Sequence, residues 1–191
     1  KDDANPAETL EDLGLPVVVK PPLEGSSIGL TIVREQAALA PAIAEAFRHG
    51  DSVLVEEFIG GMEITAGILG DEALPLIQIV PKTGIYDYHS KYTPGQTEYL
   101  VPAPLDAQAA QAIQDAALAA FDALGCEDFG RVDFVLAQDG RAYVLEVNTI
   151  PGFTQTSLLP KAAGAADMGF DALCEHIMEL GLRKAPAETR K

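Results

Sequence analysis

The segment "RVDFVLAQDGRAYVLEVN", residues 131–148, restricts the fold of this chain more than any other. Apolar and polar residues alternate on both sides of Asp139-Gly140, a dipeptide typical of two-residue turns between antiparallel strands. With those two residues as the loop, Gln138 pairs with Arg141. The segment is therefore predicted to form a β-hairpin with one polar and one apolar face.

Counting outward from this two-residue turn predicts the register of the hairpin. Asp133 lies opposite Glu146 and Arg131 lies opposite Asn148, so these four side chains share one face. The other face, which we expect to be buried, collects Val132, Phe134, Leu136, Tyr143, Leu145 and Val147.

The polar face has two interpretations that the residues alone leave open. Asp133 and Glu146 are like charges directly opposed across a ladder, which costs roughly 0.2–1 kcal/mol unless a cation or a donor lies between them. With Asn148 they offer only hard oxygen ligands, a set that suits Mg²⁺. Alternatively, the face is simply solvated and Arg131 supplies the counter-charge.

The remaining predicted elements mix hairpins and helices, which favours an antiparallel α+β fold over a doubly wound sheet. Strands are predicted within residues 15–20, 30–33 and 52–59, and a second hairpin turns at Gly70-Asp71. Helices are predicted over residues 34–50, 106–125, 157–166 and 170–181, the second of them with Asp106 as its N-cap and Gly125 at its end. Residues 81–100 follow neither period, and a loop this long is usually functional or disordered.

Charge and composition exclude several classes of protein. The formal charge of −16, from 13 Lys and Arg against 29 Asp and Glu, argues against a nucleic-acid surface. No apolar run approaches the roughly 18 residues that span a bilayer, so we expect no membrane partner. Cys126 and Cys174 lie far apart with no CxxC pattern, and reduced cysteines suit the cytoplasmic protein that we expect. The chain begins at Lys1 rather than Met, within what looks like a polar loop, and we expect it to be a piece of a longer polypeptide.

A glycine-serine loop, "EGSSIG" at 24–29, follows the strand that ends at Lys20. Backbone N–H groups in such a loop can surround phosphate oxygens, and a nearby ammonium neutralises them. The pattern is not a Walker A motif, because the lysine precedes the glycines. A plain surface hairpin loop is the alternative interpretation.

Two further groups of residues are candidates for contacting a nucleotide. The strand within 52–59 could present its backbone to an adenine, and its glutamates could accept hydrogen bonds from an amine or from ribose hydroxyls. The alternative is a solvated strand edge. Lys91 and Tyr92 could close over a ligand, or they could lie in a mobile surface loop.

Five segments, taken in order and spacing, resemble the D-alanine:D-alanine ligase family of ATP-grasp enzymes: "VVVKPPLEGSSIG", "VLVEEFIGGMEIT", "YDYHSKY", "GRVDF" and "LEVNTIPGFTQTSLLP". The resemblance covers residues 13–181 and implies two α+β subdomains whose mainly antiparallel sheets enclose ATP. We expect residues 1–63 to belong to the central subdomain and 64–191 to form the C-terminal catalytic subdomain. The implied activity is ATP-dependent ligation of two D-alanines, through an acyl phosphate, for peptidoglycan precursor synthesis.

The resemblance implies a role for each motif residue. The residues on ATP are Lys20, Glu56, Glu57, Ile59, Glu63 and Lys91. Glu57 stands where other members carry a lysine, so only its backbone role carries over. Two Mg²⁺ or Mn²⁺ ions, bridged by Glu146, are implied on Asp133, Glu146 and Asn148.

The remaining implied roles concern catalysis and the second D-alanine. Arg131 and the Gly152 N–H resemble the donors to the oxyanion, while Ser157 and the Leu158 N–H resemble the grip on the second carboxylate. Ser26 and Tyr92 resemble members of a network that closes the 81–100 loop, and Tyr92 favours an amide product over an ester.

The family also has a preceding domain that helps to hold the first D-alanine, and this sequence contains no counterpart to it. Without that domain the chain should not ligate efficiently. Two alternatives therefore stand beside the main hypothesis: another ATP-grasp carboxylate–amine ligase, and a nucleotide-binding module without catalysis. The sequence leaves homodimer formation open.

Overall fold

The valine run of the first predicted strand forms the centre of a three-stranded antiparallel sheet, in the order β2-β1-β3. This computed structural model describes residues 6–82, 84, 86, 90, 91, 93 and 95–184. The elements of this first part are α1 (Pro6–Leu13), β1 (Val17–Lys20), β2 (Thr31–Val33), α2 (Leu39–Ala46) and β3 (Leu54–Glu57). Its core is built from Val17, Val19, Val33, Leu39, Ala42 and Ala46.

The second part is a six-stranded antiparallel sheet in the order β7-β6-β4-β8-β9, with β5 paired to β4. Its strands are β4 (Gly61–Leu69), β5 (Glu72–Ala73), β6 (Ile77–Pro81), β7 (Thr97–Leu100), β8 (Phe129–Ala137) and β9 (Ala142–Asn148). Its helices are α3 (Ala107–Ala123), α4 (Leu158–Ala165) and α5 (Phe170–Lys184). The core lies where α3 packs on the sheet, around Ile64, Ile113, Phe121, Val132 and Phe134.

The chain divides into two compact units, Lys1–Ile59 with Pro81–Thr97, and Gly60–Val80 with Glu98–Lys191. The predicted division after residue 63 concerns the subdomains of the family and stays a prediction. None of the helices in the described part of the chain combines the length and apolarity needed to cross a bilayer.

Several local predictions are confirmed. Leu69 pairs with Glu72, so Gly70-Asp71 is the two-residue turn, with Gly70 at φ +60°. The Asp106 side chain accepts a hydrogen bond from the Ala109 N–H at 2.8 Å, as an N-cap does. Strand β7 is a structural element that the sequence pattern did not predict.

The tip of the β8–β9 hairpin differs from the prediction. Ala137 donates to Arg141, so the loop holds residues 138–140 rather than two residues, and Gln138 does not pair with Arg141. Gly140 has φ +84°, which a three-residue loop of this kind requires of its last residue. The Arg141 backbone N–H, and then its guanidinium, keep the pKa of Asp139 below its ordinary value.

A β-bulge follows further along the same hairpin and restores the predicted register. Phe134 pairs with Val144, yet Asp133 pairs with Glu146, so Leu145 is an extra residue on β9. The bulge reverses the face alternation near the tip. Ala142 rather than Tyr143 packs against the core, and Leu145, predicted to be buried, is 48% exposed, as is Val144 at 46%.

Helix α4 ends in a Schellman motif with an aspartate in the left-handed position. Asp167 has φ +59°, and the Met168 N–H donates to the Ala163 carbonyl at 2.9 Å. A left-handed conformation costs a non-glycine residue roughly 1–2 kcal/mol. We expect Asp167→Gly to raise the free energy of unfolding by about 0.5–1 kcal/mol, after the greater freedom of glycine in the unfolded chain is subtracted.

Urea denaturation measures this effect, with Asp167→Ala as a comparison in which the left-handed conformation is not relieved. Equal or lower stability of Asp167→Gly would contradict the strain that the backbone angle implies.

Candidate active site

Four polar side chains lie together on one face of the β8–β9 hairpin, as predicted. The structure pairs Arg131 with Asn148 and Asp133 with Glu146. Because the bulge lies between this end and the tip, these pairs keep the register that places all four side chains on one face.

Asp133 is the centre of this polar face. Arg131 donates to both of its oxygens, from Nε to Oδ1 at 2.8 Å and from Nη2 to Oδ2 at 2.7 Å. This bidentate pair is the strongest geometry available to a guanidinium and a carboxylate. Both side chains are only 16% exposed, so the pair is largely shielded from water.

The side-chain amide of Asn148 connects the two carboxylates. Its Nδ2 donates to Asp133 Oδ2 at 3.1 Å and to Glu146 Oε1 at 3.3 Å. One donor therefore lies within reach of both acids, which is the arrangement that opposed carboxylates need. A cation in that place would require Asn148 to present its Oδ1 instead.

The donor set fits Mg²⁺ in its chemistry, because two carboxylates and one amide oxygen are the hard ligands this ion takes with retained water. Among the described residues, no group of three or more His, Cys, Asp and Glu side chains is arranged to hold a metal ion. The set at this hairpin is smaller, with Asp133, Glu146 and Asn148. Metal binding here stays a prediction.

The loop after β9 forms a tight turn before α4. Ser157 donates its N–H to the Thr154 carbonyl at 2.9 Å, and its Oγ accepts from the Thr154 N–H at 3.0 Å. Ser157 is the N-cap residue of α4 but makes no capping hydrogen bond with its side chain. The first N–H groups of a helix have no intrahelical partner, so this end of α4, at Leu158, can receive an anion.

Gly152 lies next to this turn. A Cβ built on Gly152 would lie 3.3 Å from Ser157 Oγ, so a side chain there would crowd the serine hydroxyl. Phe153 holds the loop in place through ring contacts with Phe129 and Phe170, at centroid distances of 6.3 and 5.4 Å. Gly152, which is predicted to donate to the oxyanion, and Ser157, which is predicted to bind the second carboxylate, are thus neighbours.

Lys161 fixes the turn from the following helix. Its Nζ donates to the Thr156 carbonyl at 2.6 Å and lies 5.6 Å from the centroid of the Tyr99 ring.

Replacing Lys161 with methionine keeps most of the side-chain volume and removes the donor. We expect the free energy of opening the turn to fall by roughly 1 kcal/mol, so that the open population rises about fivefold.

Hydrogen exchange at the Ser157 N–H measures this opening, with the Gly140 N–H at the hairpin tip as an internal reference. Lys161→Arg keeps a donor and should exchange as the wild type does. Equal exchange in Lys161→Met would show that the lysine does not hold the turn.

The glycine-serine loop holds two consecutive serines in the left-handed region, Ser26 at φ +55° and Ser27 at φ +60°. The Ile28 N–H donates to the Gly25 carbonyl at 3.1 Å, which closes a tight turn around them. Non-glycine residues adopt this conformation at a cost of roughly 1–2 kcal/mol each. Such strain is found most often where a loop has a ligand to bind.

Lys91 contacts this loop. Its Nζ donates to Ser27 Oγ at 3.2 Å, and the same hydroxyl donates to the Tyr86 carbonyl at 3.3 Å. The lysine also lies 5.0 Å from the centroid of the Tyr86 ring. The structure thus brings one of the predicted ATP lysines to the predicted phosphate loop. Tyr92 lies outside the described residues, so its predicted role stays a prediction.

Lys20 lies at the end of β1 and pairs with Glu56 on β3, from Nζ to Oε1 at 2.5 Å. The pair is partly exposed, so it contributes little to stability. The pair joins Lys20, which is predicted to contact the phosphates of ATP, to Glu56, which is predicted to contact the adenine. Lys20 neutralises Glu56 in this structure, and its contact with phosphate stays a prediction.

The backbone of β3 is suited to the role predicted for Glu57 and Ile59. The Phe58 N–H donates to the Pro16 carbonyl, so the backbone groups of Phe58 point toward the neighbouring chain segment. Backbone groups alternate in direction along an antiparallel strand, so those of Glu57 and Ile59 point the other way. β3 ends the described sheet on that side, which leaves this edge available to a planar base. Glu63 lies on β4, opposite Ile79 and Val135.

Three side chains that the sequence pattern did not single out contact predicted site residues or the turn before α4. Thr65 donates to Asp133, Ser27 accepts from Lys91, and Lys161 donates to the Thr156 carbonyl. Thr65 and Lys161 lie within the quoted motifs or directly after them, so their place in the motif was the only available signal.

Comparison with known proteins agrees with this geometry. The family described as "D-ala D-ala ligase C-terminus" matches residues 1–179. A D-alanine:D-alanine ligase of Syntrophotalea carbinolica is 58% identical over 163 residues, which are 85% of this chain and 53% of that protein. The enzyme of Halalkalibacterium halodurans is 46% identical and is matched over 88% of this chain and 57% of its own length.

Solved structures show the same likeness. The D-alanine:D-alanine ligase from Bacillus anthracis in complex with ATP superposes with a TM-score of 0.78 at 36% identity, over 96% of this chain and 56% of that one. VanG, a D-Ala:D-Ser ligase from Enterococcus faecalis, does so with a TM-score of 0.79 at 36% identity, over 91% of this chain and 52% of that one.

The antiparallel sheets and these neighbours place the chain among the ATP-grasp proteins. It spans about half the length of the curated relatives that it matches. The chain belongs to the D-alanine:D-alanine ligase family and corresponds to the C-terminal part of its members.

Proposed function

We propose that the protein ligates two D-alanines with the free energy of ATP hydrolysis to ADP and phosphate. The observation that carries the proposal is the continuity of one chain segment. The β8–β9 hairpin presents two carboxylates and an arginine, and the next residues form a turn and a helix N-terminus suited to a carboxylate. Family membership and the ATP complex of the Bacillus anthracis relative support the choice of nucleotide.

The first step joins the carboxylate of one D-alanine to the γ-phosphate of ATP. A carboxylate oxygen forms a bond to phosphorus, the bond to the β–γ bridging oxygen breaks, and ADP leaves. Both reactants are anionic, so the step depends on positioning and charge neutralisation. Lys20 and Lys91 would neutralise phosphate oxygens. Asp133, Glu146 and Asn148 would hold Mg²⁺ or Mn²⁺, which screens the phosphates when bound.

The second step joins the amine of the other D-alanine to the acyl phosphate. Nitrogen bonds to the carbonyl carbon, the oxyanion collapses, phosphate leaves, and the amine gives up a proton. The oxyanion requires donors that are already in place. We infer that Arg131 and the Gly152 N–H supply them, and that Ser157 and the Leu158 N–H bind the carboxylate of the attacking D-alanine.

Contacts to the nucleotide base complete the proposal. The edge-facing backbone of Glu57 and Ile59 would bind the adenine, with Glu56 accepting from its amine and Glu63 accepting from the ribose hydroxyls. Ser26, together with Tyr92, would hold the loop that shields the acyl phosphate from water. We also infer that the first D-alanine requires the N-terminal part of the family, as a partner domain of the same polypeptide.

The test is product formation by the complete polypeptide with Mg²⁺, ATP and single amino acids. Expected results are phosphate release with D-alanine and a D-alanyl-D-alanine product by mass spectrometry. D-Serine and D-lactate form the comparison arms, because a structural relative carries the name D-Ala:D-Ser ligase. A preference for D-serine as the second substrate would contradict D-alanine as the acceptor but not ligation itself. ATP binding without any product would refute ligation.

A further inference from the structure

We propose that Thr65 is a positioning residue for the site, and that its hydroxyl determines which oxygen of Asp133 is presented to the cation. The inference rests on the proposed function, because it concerns how one proposed metal ligand is held. Thr65 Oγ1 donates to Asp133 Oδ1 at 2.6 Å. Hydrogen bonds of this length between a hydroxyl and a carboxylate are among the stronger ones in proteins.

Thr65 lies in a rigid position next to Asp133. It lies on β4, directly opposite Asp133 in the β4–β8 ladder. β4 is an interior strand of the sheet with β6 and β8 on its two sides, whereas β9, which carries Glu146 and Asn148, ends the described sheet. The Thr65 side chain is 1% exposed. A group attached to a packed strand is held more precisely than one on a loop.

The hydrogen bonds divide the two oxygens of Asp133 into different roles. Oδ1 accepts from Thr65 Oγ1 and from Arg131 Nε. Oδ2 accepts from Arg131 Nη2 and from the longer, 3.1 Å contact with Asn148. A metal ion that replaces the Asn148 amide protons would therefore meet Oδ2. Without Thr65, Oδ1 loses its shortest hydrogen bond, and the orientation of the carboxylate then depends on Arg131.

Thr65 is buried although it is polar. Thr65 and Ser90 are the buried polar residues in the described part of the chain. The partner of Thr65 on β6, which shares its face, is the fully buried Ile77. A valine would fill the same space in such a strand and has the higher β-propensity. The hydroxyl is present where packing does not require it, and its shortest contact is Asp133.

The test is Mn²⁺ binding measured by electron paramagnetic resonance, in the presence of a non-hydrolysable ATP analogue, on the complete polypeptide. Thr65→Val is expected to weaken Mn²⁺ binding by about 10- to 100-fold, as loss of a partner of a metal ligand typically does. Thr65→Ser keeps the donor and should bind within about threefold of the wild type. Arg141→Gln at the far end of the hairpin is the control for a charge change away from the site.

The outcomes separate the role of Thr65 from the proposed metal binding and ligation. Equal Mn²⁺ affinity in Thr65→Val and wild type would overturn the role of Thr65 and leave the ligase proposal intact. No Mn²⁺ binding by the wild type would overturn the metal assignment itself. If Thr65→Val fails to fold, Thr65→Cys repeats the test, because a thiol has similar size and is a weak donor. Failure of Thr65→Ser to restore binding would also contradict the inference.

Discussion

Replacing Glu146 with glutamine is expected to remove most of the thermal stabilisation by Mg²⁺-ATP that the proposed function predicts, and with it the proposed ligase activity. Glutamine keeps the size of the side chain and removes the charge from the acid that shares the Asn148 amide with Asp133. Nucleotide at about 100 times its Kd stabilises the folded state by about 2.7 kcal/mol, or roughly 5–10 °C in a protein of this size. The variant should retain only a small part of that shift.

Differential scanning fluorimetry with and without Mg²⁺-ATP measures this loss. Asp139→Asn is the matched control, because it removes a carboxylate from the exposed tip of the same hairpin. An undiminished shift in Glu146→Gln would eliminate the metal assignment. An undiminished shift together with lost turnover would confine the role of Glu146 to the chemical step.

Replacing Arg131 with methionine is expected to have the second large effect. The arginine donates to both oxygens of Asp133 and is proposed to meet the oxyanion. Loss of one preorganised donor to an oxyanion typically lowers kcat about 10²- to 10³-fold. Asp133 would also be left with a poorly compensated charge, so the free energy of unfolding should fall by roughly 1–3 kcal/mol.

Steady-state kinetics and urea denaturation separate these two effects. Arg131→Lys keeps the charge but not the bidentate geometry, and should recover stability more than activity. Arg141→Gln is the control, since it breaks an exposed pair with Asp139 and should change stability little. A methionine variant with normal kcat would exclude Arg131 from the oxyanion.

The ends of α3 were predictable because they depend on local rules. Asp106 and Gly125 follow from capping preferences, which are settled within a few residues of chain. Alternation and an assumed two-residue turn also placed Asp133 opposite Glu146, and the structure pairs them so, although with a three-residue turn and a bulge.

The features that were missed depend on contacts between distant segments or on irregular backbone. Thr65 meets Asp133 across 68 positions of sequence, and Lys91 meets Ser27 across 64. No periodicity reports such a contact. The bulge at Leu145 was missed because its residue is apolar and fits the alternation that it breaks. The wrong turn length and the missed bulge offset each other, which is why the predicted site pairs were correct.

That extra residue has a consequence for variation in length. The ladder is regular on both sides of Leu145, and the pairs Phe134 with Val144 and Asp133 with Glu146 would become consecutive if Leu145 were deleted. A chain shortened by this one residue would keep its opposed carboxylates and its turn. Deletion of Leu145 is therefore expected to leave Arg131, Asp133, Glu146 and Asn148 together on one face.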